Sequence, residues 1–171
     1  MADVDSLSLP LRDAAGAITE KHVMGWLEES QVFSSLSVAD LKPLLQNLQI
    51  LNFKPMDEVI VKDHFSAALY IVIAGRFLVL RPENTHVHSA ADPDDLAELD
   101  TFIKGQCFGE YSLIDRKPAS ASVVAAERSQ AIQIPRRAFE SLMMSDYRIA
   151  KTVYHNLLLL LTARLRRGLK V

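Results

Sequence analysis

The chain has 171 residues, of which 49% are hydrophobic and 23% are charged, a globular composition that excludes a mainly disordered protein. The length fits one domain. The 19 basic and 21 acidic residues give a formal net charge of −2, which argues against a nucleic-acid-binding protein. The single cysteine, Cys107, cannot form an internal disulfide and fits a reducing compartment. No stretch approaches ~18 consecutive apolar residues and no signal peptide is apparent, so we expect a cytoplasmic protein without membrane contact.

The N-terminal third is predicted to be helical after a loosely ordered segment at residues 1–21. A first helix is expected at residues 22–29, after which apolar residues recur at helical spacing. Ser37, followed three residues later by Asp40, is typical of a helix N-terminus, so a second helix should begin at Val38.

Residues 49–134 change to short apolar and β-branched runs separated by turn residues. The predicted strands are residues 49–53, 58–62, 69–73, 76–80, 99–103, 121–126 and 129–134. We interpret the third and fourth strands as a hairpin that turns at Gly75, and the last two as a hairpin that turns at Glu127–Arg128. The polar residues 81–97 are predicted to form a long hairpin loop. Seven short strands without intervening helices indicate a β-barrel or jelly roll rather than a parallel sheet.

The C-terminal third returns to helix at Pro135, which suits a first helical turn. Apolar residues then follow steps of three and four that are typical of a coiled coil, and we expect them to form a dimer seam: Tyr147, Ala150, Tyr154, Leu157 and Leu161. Residues 157–161 are apolar on all sides, which one docking surface cannot bury. We therefore expect the β-structure on one side of this helix and a second copy of the chain on the other. The alternative is a single wide face buried within the chain.

The segment from Gly105 to Val123 carries the features of a binding site. Gly109 permits a backbone bend that a side chain would block. Residues 110–114 can form one helical turn, whose free N–H groups are able to hold an anion. Glu110 would repel a phosphate but can accept hydrogen bonds from sugar hydroxyls. Its alternative role is to stabilise the start of the short helix.

The run Phe108-Gly109-Glu110-Tyr111-Ser112-Leu113, followed by Pro118 and by Ala119-Ser120-Ala121-Ser122-Val123, resembles the phosphate-binding cassette of cyclic-nucleotide-binding domains. These are regulatory modules of catabolite-activator-like transcription factors, cyclic-nucleotide-dependent kinases and gated channels. The resemblance covers about residues 23–167. It implies an α+β fold in which an antiparallel β-roll or jelly-roll barrel (49–134) is flanked by N-terminal helices (22–48) and long C-terminal helices (135–168). It also implies a cyclic nucleotide as ligand, with contacts from Gly109, Glu110, Tyr111, Ser112, Ala119 and Ser120.

The sequence departs from the family pattern at Ala119, where the family has an arginine that pairs with the cyclic phosphate. Loss of such a charge-assisted contact costs on the order of 10²-fold in affinity, so we expect weak or absent binding of cAMP and cGMP. Arg116 and Lys117 are candidate compensating cations; the alternative is that both are solvated. Family glycines near the start of the roll are replaced by Met56 and Asp63, which affects turn geometry.

These observations predict a non-catalytic regulatory module that has no metal or other cofactor and signals to an unknown protein partner through its dimer helix. One alternative is an interaction scaffold on a degenerate fold, and another is a functional cAMP or cGMP binder that uses Arg116 or Lys117. Because no helix-turn-helix domain follows before Val171, we expect no direct DNA binding. The spacing of the polar loop residues His86, His88, Asp92, Asp94 and Asp95 matches no calcium site.

Overall fold

The computed structural model describes residues 18–82 and 96–168. Its strands are β1 (Gln49–Phe53), β2 (Glu58–Ile60), β3 (Ala68–Ala74), β4 (Phe77–Pro82), β5 (Leu96–Phe102), β6 (Cys107–Phe108), β7 (Ser122–Ala125) and β8 (Ser129–Pro135). Its α-helices are α1 (Glu20–Glu29), α2 (Val38–Leu41), α3 (Glu110–Asp115), α4 (Arg136–Ser145) and α5 (Tyr147–Gly168), with 3₁₀ turns at Gln31–Phe33 and Lys42–Gln46. The predicted mixed fold, an antiparallel roll between N-terminal and C-terminal helices, is confirmed.

The two N-terminal α-helices start at side-chain caps. Thr19 accepts a hydrogen bond from the backbone N–H of His22, and the His22 ring in turn bonds the Thr19 N–H. This reciprocal cap starts α1 at Glu20, two residues earlier than predicted. Ser37 and Asp40 cap each other in the same way, so the predicted start of α2 at Val38 is confirmed.

The strands form two four-stranded antiparallel sheets, in the order β1-β8-β3-β6 and β2-β7-β4-β5. Both predicted tight hairpins are therefore wrong, because β3 and β4 lie in different sheets and so do β7 and β8. The turns at Gly75 and Glu127–Arg128 instead carry the chain from one sheet to the other. These turns contact each other, since the Arg76 N–H donates to the Ser129 hydroxyl at 3.0 Å.

The predicted long hairpin between β4 and β5 is confirmed by their pairing, which brings Phe77 opposite Phe102. The strand β5 begins at Leu96, three residues earlier than expected. The histidines and aspartates considered as metal ligands, at positions 86–95, lie outside the described residues.

Strand β3 separates two hydrophobic cores because successive side chains point to opposite faces. Leu69, Ile71 and Ile73 pack in the core beneath the helices, whereas Tyr70 and Val72 pack inside the roll. Six of its seven residues are buried, so neither face of this strand shows the polar alternation that identifies a half-exposed sheet.

The C-terminal segment consists of two helices that separate at Asp146, and α5 docks on the helical core. Its inward stripe is Ile149, Val153, Leu157 and Leu160. The five residues predicted to form the dimer seam do not share one exposed face. Leu157 is only 1% exposed, and Ala150 and Leu161 are half-buried against the core. Tyr147 and Tyr154 are exposed, as are Leu158, Leu159 and Leu165. Within the described ranges, no helix has both the length and the hydrophobicity of a membrane span.

The positions where family glycines are replaced keep a glycine-like backbone. Met56 and Asp63 have φ values of 68° and 64°, in the left-handed region that ordinary side chains disfavour. Both residues therefore hold, at an energetic cost, a backbone conformation that glycine adopts more easily.

Candidate functional site

The cassette is held in place by a bend at Gly109, between β6 and α3. Gly109 has φ +88°, and a Cβ atom there would lie 2.5 Å from the carbonyl oxygen of Ala68. Only glycine allows this close approach of two backbone segments. The predicted helical turn follows directly as α3, which ends where Arg116 adopts a left-handed conformation.

A cavity of about 320 Å³ lies between the roll, the cassette and the end of α5. The six residues predicted as ligand contacts all line it: Gly109, Glu110, Tyr111, Ser112, Ala119 and Ser120. Much of the remaining wall is apolar and comes from the interior of the roll, from Ile60, Val79, Phe102, Phe108 and Val123. The structure thus collects the whole predicted set around one concave, largely apolar site, the usual form of a small-molecule site.

Arg164 of α5 closes one side of this cavity, although it is not among the residues predicted from sequence to contact a ligand. Its guanidinium forms an ion pair with the Glu110 carboxylate and donates a hydrogen bond to the Cys107 carbonyl oxygen. The guanidinium carbon also lies 4.6 Å from the centroid of the Phe102 ring, a cation–π contact. The signal that would have identified Arg164 is its position four residues after Leu160, in register with the buried stripe of α5.

Glu110 is a buried acid whose carboxylate is only half satisfied. The residue is 1% exposed, and burial raises the pKa of its carboxyl group, while the Arg164 guanidinium opposes that rise. Oxygen Oε1 takes the bond from Arg164, but Oε2 has no hydrogen-bond partner in the described part of the chain. A second acid, Asp100, also lines the cavity and forms a 3.1 Å ion pair with Arg167.

The two candidate compensating cations are not part of the cavity wall. Arg116 is largely exposed and pairs with Glu140 of α4 at 3.2 Å, and Lys117 bonds the Asp115 side chain through its backbone N–H. Ala119, in contrast, is buried and faces the cavity. Among the described residues that line the cavity, Arg164 is the single positively charged side chain, and the arrangement of Arg116 and Lys117 matches the alternative in which both are solvated.

The model of the cyclic nucleotide-binding domain family matches residues 50–146. The chain belongs to this family. It is 29% identical over 142 residues to the cyclic AMP receptor protein of Thermus thermophilus, a match that covers 83% of this chain and 60% of that protein. The chain therefore spans less than two thirds of this relative's length.

Solved structures of cyclic-nucleotide-binding proteins have the same fold. A cyclic nucleotide-binding domain from Methylobacillus flagellatus superposes with a TM-score of 0.71 at 22% identity, covering 85% of this chain and 80% of that one. The catabolite activator protein of Thermus thermophilus superposes with a TM-score of 0.64 at 28% identity, covering 81% of this chain and 60% of that one.

Proposed function

We propose that this cyclic-nucleotide-binding domain is a non-catalytic regulatory module, cytoplasmic as the lone cysteine suggests, in which occupancy of the cavity is transmitted to α5. The observation that carries the proposal is Arg164, which ties α5 to Glu110 inside the cavity. A ligand that takes the place of this contact has to move the Arg164 side chain and thereby loosen the end of α5. Helix α5 then has a docked and a loosened position. A ligand shifts the equilibrium between them only as far as it binds one position more tightly than the other.

We further propose that the module binds cAMP and cGMP weakly or not at all. Ala119 supplies no charge at the position of the family's phosphate-pairing arginine, and Arg164 is already engaged by Glu110 and Cys107. A phosphate buried beside Ala119 would lose its hydration without gaining a cation, which is unfavourable. The missing contact corresponds to a loss on the order of 10²-fold in affinity.

Calorimetric titration of the full chain with cAMP and cGMP tests this proposal. We expect dissociation constants above about 100 μM for the wild type and about 100-fold tighter binding for Ala119→Arg, which restores the charge-assisted contact. Ala121→Arg is the matched control, because it adds the same charge to the cavity wall at a different place. A low-micromolar affinity of the wild type, or equal gains from the two variants, would contradict the proposal.

We also propose that α5 mediates homodimerisation, through a stripe different from the seam predicted from sequence. Tyr154, Leu158, Leu161 and Leu165 follow steps of four, three and four along α5; Leu161 is half-buried and the other three are exposed. This spacing is typical of a coiled-coil seam. Leu165 also lines the cavity, so a partner helix on the stripe would lie beside the binding site.

Sedimentation velocity distinguishes this stripe from the rest of the helix surface. Leu158→Glu is expected to convert a dimer to a monomer, because it places a charge in the middle of the stripe. Leu159→Glu is the control, since Leu159 is also exposed but lies off the stripe. A monomeric wild type, or equal effects of both variants, would show that the stripe is not a dimer seam.

The interaction scaffold remains a second candidate, because the contact between Arg164 and Glu110 by itself anchors α5 to the cassette. Hydrogen exchange of Ala119→Arg with and without saturating cAMP separates the two functions. A regulatory module should show faster exchange in the last turns of α5 when cAMP is bound. Unchanged exchange throughout α5 would favour the scaffold.

A further inference from the structure

A second concave site lies on a different face of α5, and we call it the outer cleft. Its wall is formed by α5 between Asn156 and Arg167, by Gln31 and Ser34 at the first 3₁₀ turn, and by Gln106 just before β6. Its volume is about 350 Å³, which is close to that of the cavity beside the cassette. The outer cleft is therefore large enough for a small-molecule ligand of its own.

The charged side chains of the outer cleft are all basic. Arg164 and Arg167 line it, and none of the described residues in its wall is acidic. The acids that pair with these arginines lie in the wall of the cavity instead: Arg164 pairs with Glu110, and Arg167 pairs with Asp100. The outer cleft thus presents the basic members of two ion pairs whose acidic members face the other site.

Arg167 is the arginine that an anion in the outer cleft can recruit. Its side chain is 56% exposed, and within the described part of the chain its guanidinium bonds Asp100 alone, at 3.1 Å. An exposed ion pair contributes little to stability, so a ligand carboxylate can replace Asp100 at small cost. The Arg164 side chain is only 10% exposed and is bonded to both Glu110 and Cys107. It can therefore keep these contacts and contribute only its charge to the outer cleft.

Two side-chain amides fix the polar part of the wall. The Gln106 side-chain oxygen accepts a hydrogen bond from the backbone N–H of Ile103 at 3.0 Å, which leaves the Gln106 amide nitrogen as a donor. Asn156 donates to the carbonyl oxygens of Val32 and Ser34, so it ties the first 3₁₀ turn to α5. The two sides of the outer cleft are therefore held together before a ligand binds.

The rest of the wall is aliphatic and comes from Leu159, Leu160 and Ala163 of α5. Ligand sites commonly combine apolar contacts, which provide affinity, with a few polar groups that fix orientation. The forked N–H groups of an arginine match the two oxygens of a carboxylate. Together, the guanidinium, the amide donor and the aliphatic surface fit a carboxylate that carries a short aliphatic chain.

We propose that the outer cleft is a second ligand site, which binds a small aliphatic carboxylate through Arg167 and takes this arginine from Asp100. The inference goes beyond the proposed function, because it does not depend on what occupies the cavity. Since Asp100 lines the cavity, the exchange of partners changes the charge of the cavity wall and links the two sites.

NMR titration of the full chain with hexanoate tests the proposal, with hexanamide as an uncharged probe of nearly the same shape. The side-chain amide signals of Gln31, Gln106 and Asn156 report on the outer cleft, and the methyl signals of Ile60 and Val123 report on the cavity. We expect hexanoate to shift the amide signals with a dissociation constant of about 1 mM. Hexanamide, at matched ionic strength, should bind at least about tenfold more weakly.

Four variants test the exchange of partners at Arg167. Arg167→Gln should weaken hexanoate binding at least about tenfold, because it removes the anchoring cation. Arg166→Gln is the matched control: it removes the same charge from the exposed side of α5 and should change the dissociation constant less than about twofold. Asp100→Asn releases Arg167 and should strengthen binding about two- to fivefold, although Asp100 does not line the outer cleft. Asp146→Asn removes an acid beside Arg148 and controls for the change in net charge.

The outcomes separate this inference from the proposed function. Shifts of the amide signals that are lost in Arg167→Gln and strengthened in Asp100→Asn support it. Equal binding of hexanamide, or equal effects of Arg166→Gln and Arg167→Gln, would overturn it. Shifts at Ile60 and Val123 instead of the amides would also overturn it, as would unshifted amide signals at about 20 mM hexanoate. Weak binding of cAMP and cGMP and the role of α5 would stand in each of these cases, because calorimetry and hydrogen exchange test them separately.

Discussion

Replacing Arg164 by alanine tests the contact that couples the cavity to α5. The wild-type guanidinium neutralises Glu110, bonds the Cys107 carbonyl and covers the Phe102 ring. Arg164→Ala removes all three interactions and leaves Glu110 as a buried carboxylate without a counter-charge. We expect a marked loss of stability that depends on pH, because Glu110 can escape the penalty by binding a proton.

The magnitude follows from the protonation of Glu110. Holding an acid of ordinary pKa 4.5 protonated at pH 7 costs about 3.5 kcal/mol, from ~2.5 pH units at ~1.4 kcal/mol each. This value is the upper limit of the pH-dependent loss of stability that the unpaired Glu110 causes in Arg164→Ala. At pH 5 the pH lies only ~0.5 unit above the ordinary pKa of Glu110, so the same loss of stability falls below about 1 kcal/mol. Loss of the cation–π contact and of the bond to Cys107 adds about 1 kcal/mol at either pH.

Urea unfolding at pH 7 and pH 5 measures this difference. The sign follows from linkage: burial raises the pKa of folded Glu110, so the penalty is present above the unfolded pKa and is relieved as the pH falls towards it. We expect Arg164→Ala to be destabilised by about 3–4 kcal/mol at pH 7 and by about 2 kcal/mol less at pH 5. Arg166→Ala, on the exposed side of α5, should change stability by no more than about 0.5 kcal/mol. Equal destabilisation at both pH values would refute the buried ion pair.

Three further predictions concern the fold. Gly75→Ala should destabilise the protein by at least about 2 kcal/mol in urea unfolding, because Gly75 has a φ of +75° and the new Cβ would lie 2.2 Å from the hydroxyl oxygen of Ser129. As the control, Gly25→Ala places its Cβ in open space beside α1 and should stabilise the protein by up to about 1 kcal/mol. Burial raises the pKa of the Cys107 thiol to about 12, so iodoacetamide should label it at pH 8 only in urea, and labelling of the native protein would contradict this burial. The hydrogen bond from Arg148 lowers the pKa of Asp40 to about 2. The ionised Asp40 carboxylate therefore stabilises the fold above its ordinary pKa of 3.8, and this stabilisation is lost as the pH falls towards 2. Asp40→Asn should flatten the pH dependence of the unfolding free energy between these values, and an unchanged pH profile would contradict the lowered pKa.

The cassette could be predicted from sequence because its requirements are local. The positive φ of Gly109, the helical turn after it and the small side chain at Ala119 can be anticipated from residue identity and short-range spacing, although the close approach of Gly109 to Ala68 cannot. The capping pair of Ser37 and Asp40 was predictable for the same reason. The six expected contact residues consequently line one cavity in the structure.

The strand partners could not be predicted in the same way. An apolar run on each side of Gly75 has the same pattern whether the two strands pair or pass into opposite sheets. The turn at Gly75 separates β3 from β4 because β8 and β7 supply their partners from far along the chain, as in the pairs Ala68 with Pro135 and Leu80 with Ser122. Such pairings depend on how two sheets close around a core, and the local strand propensity of a segment does not predict its partner.

The sequence by itself determined the composition of the cassette, the absence of an arginine at Ala119 and the amphipathic nature of the last helix, because these depend on residue identity and short-range spacing. Tertiary structure alone decided which stripe of α5 is buried and which basic residue enters the cavity. Residues 157–161 are apolar on every side, so only docking on the helical core could select Leu157 and Leu160 for burial and leave Leu158 exposed. The same rotation of the helix turns Arg164 inwards to Glu110, because the face of a helix that meets its neighbours is set by packing across the whole domain.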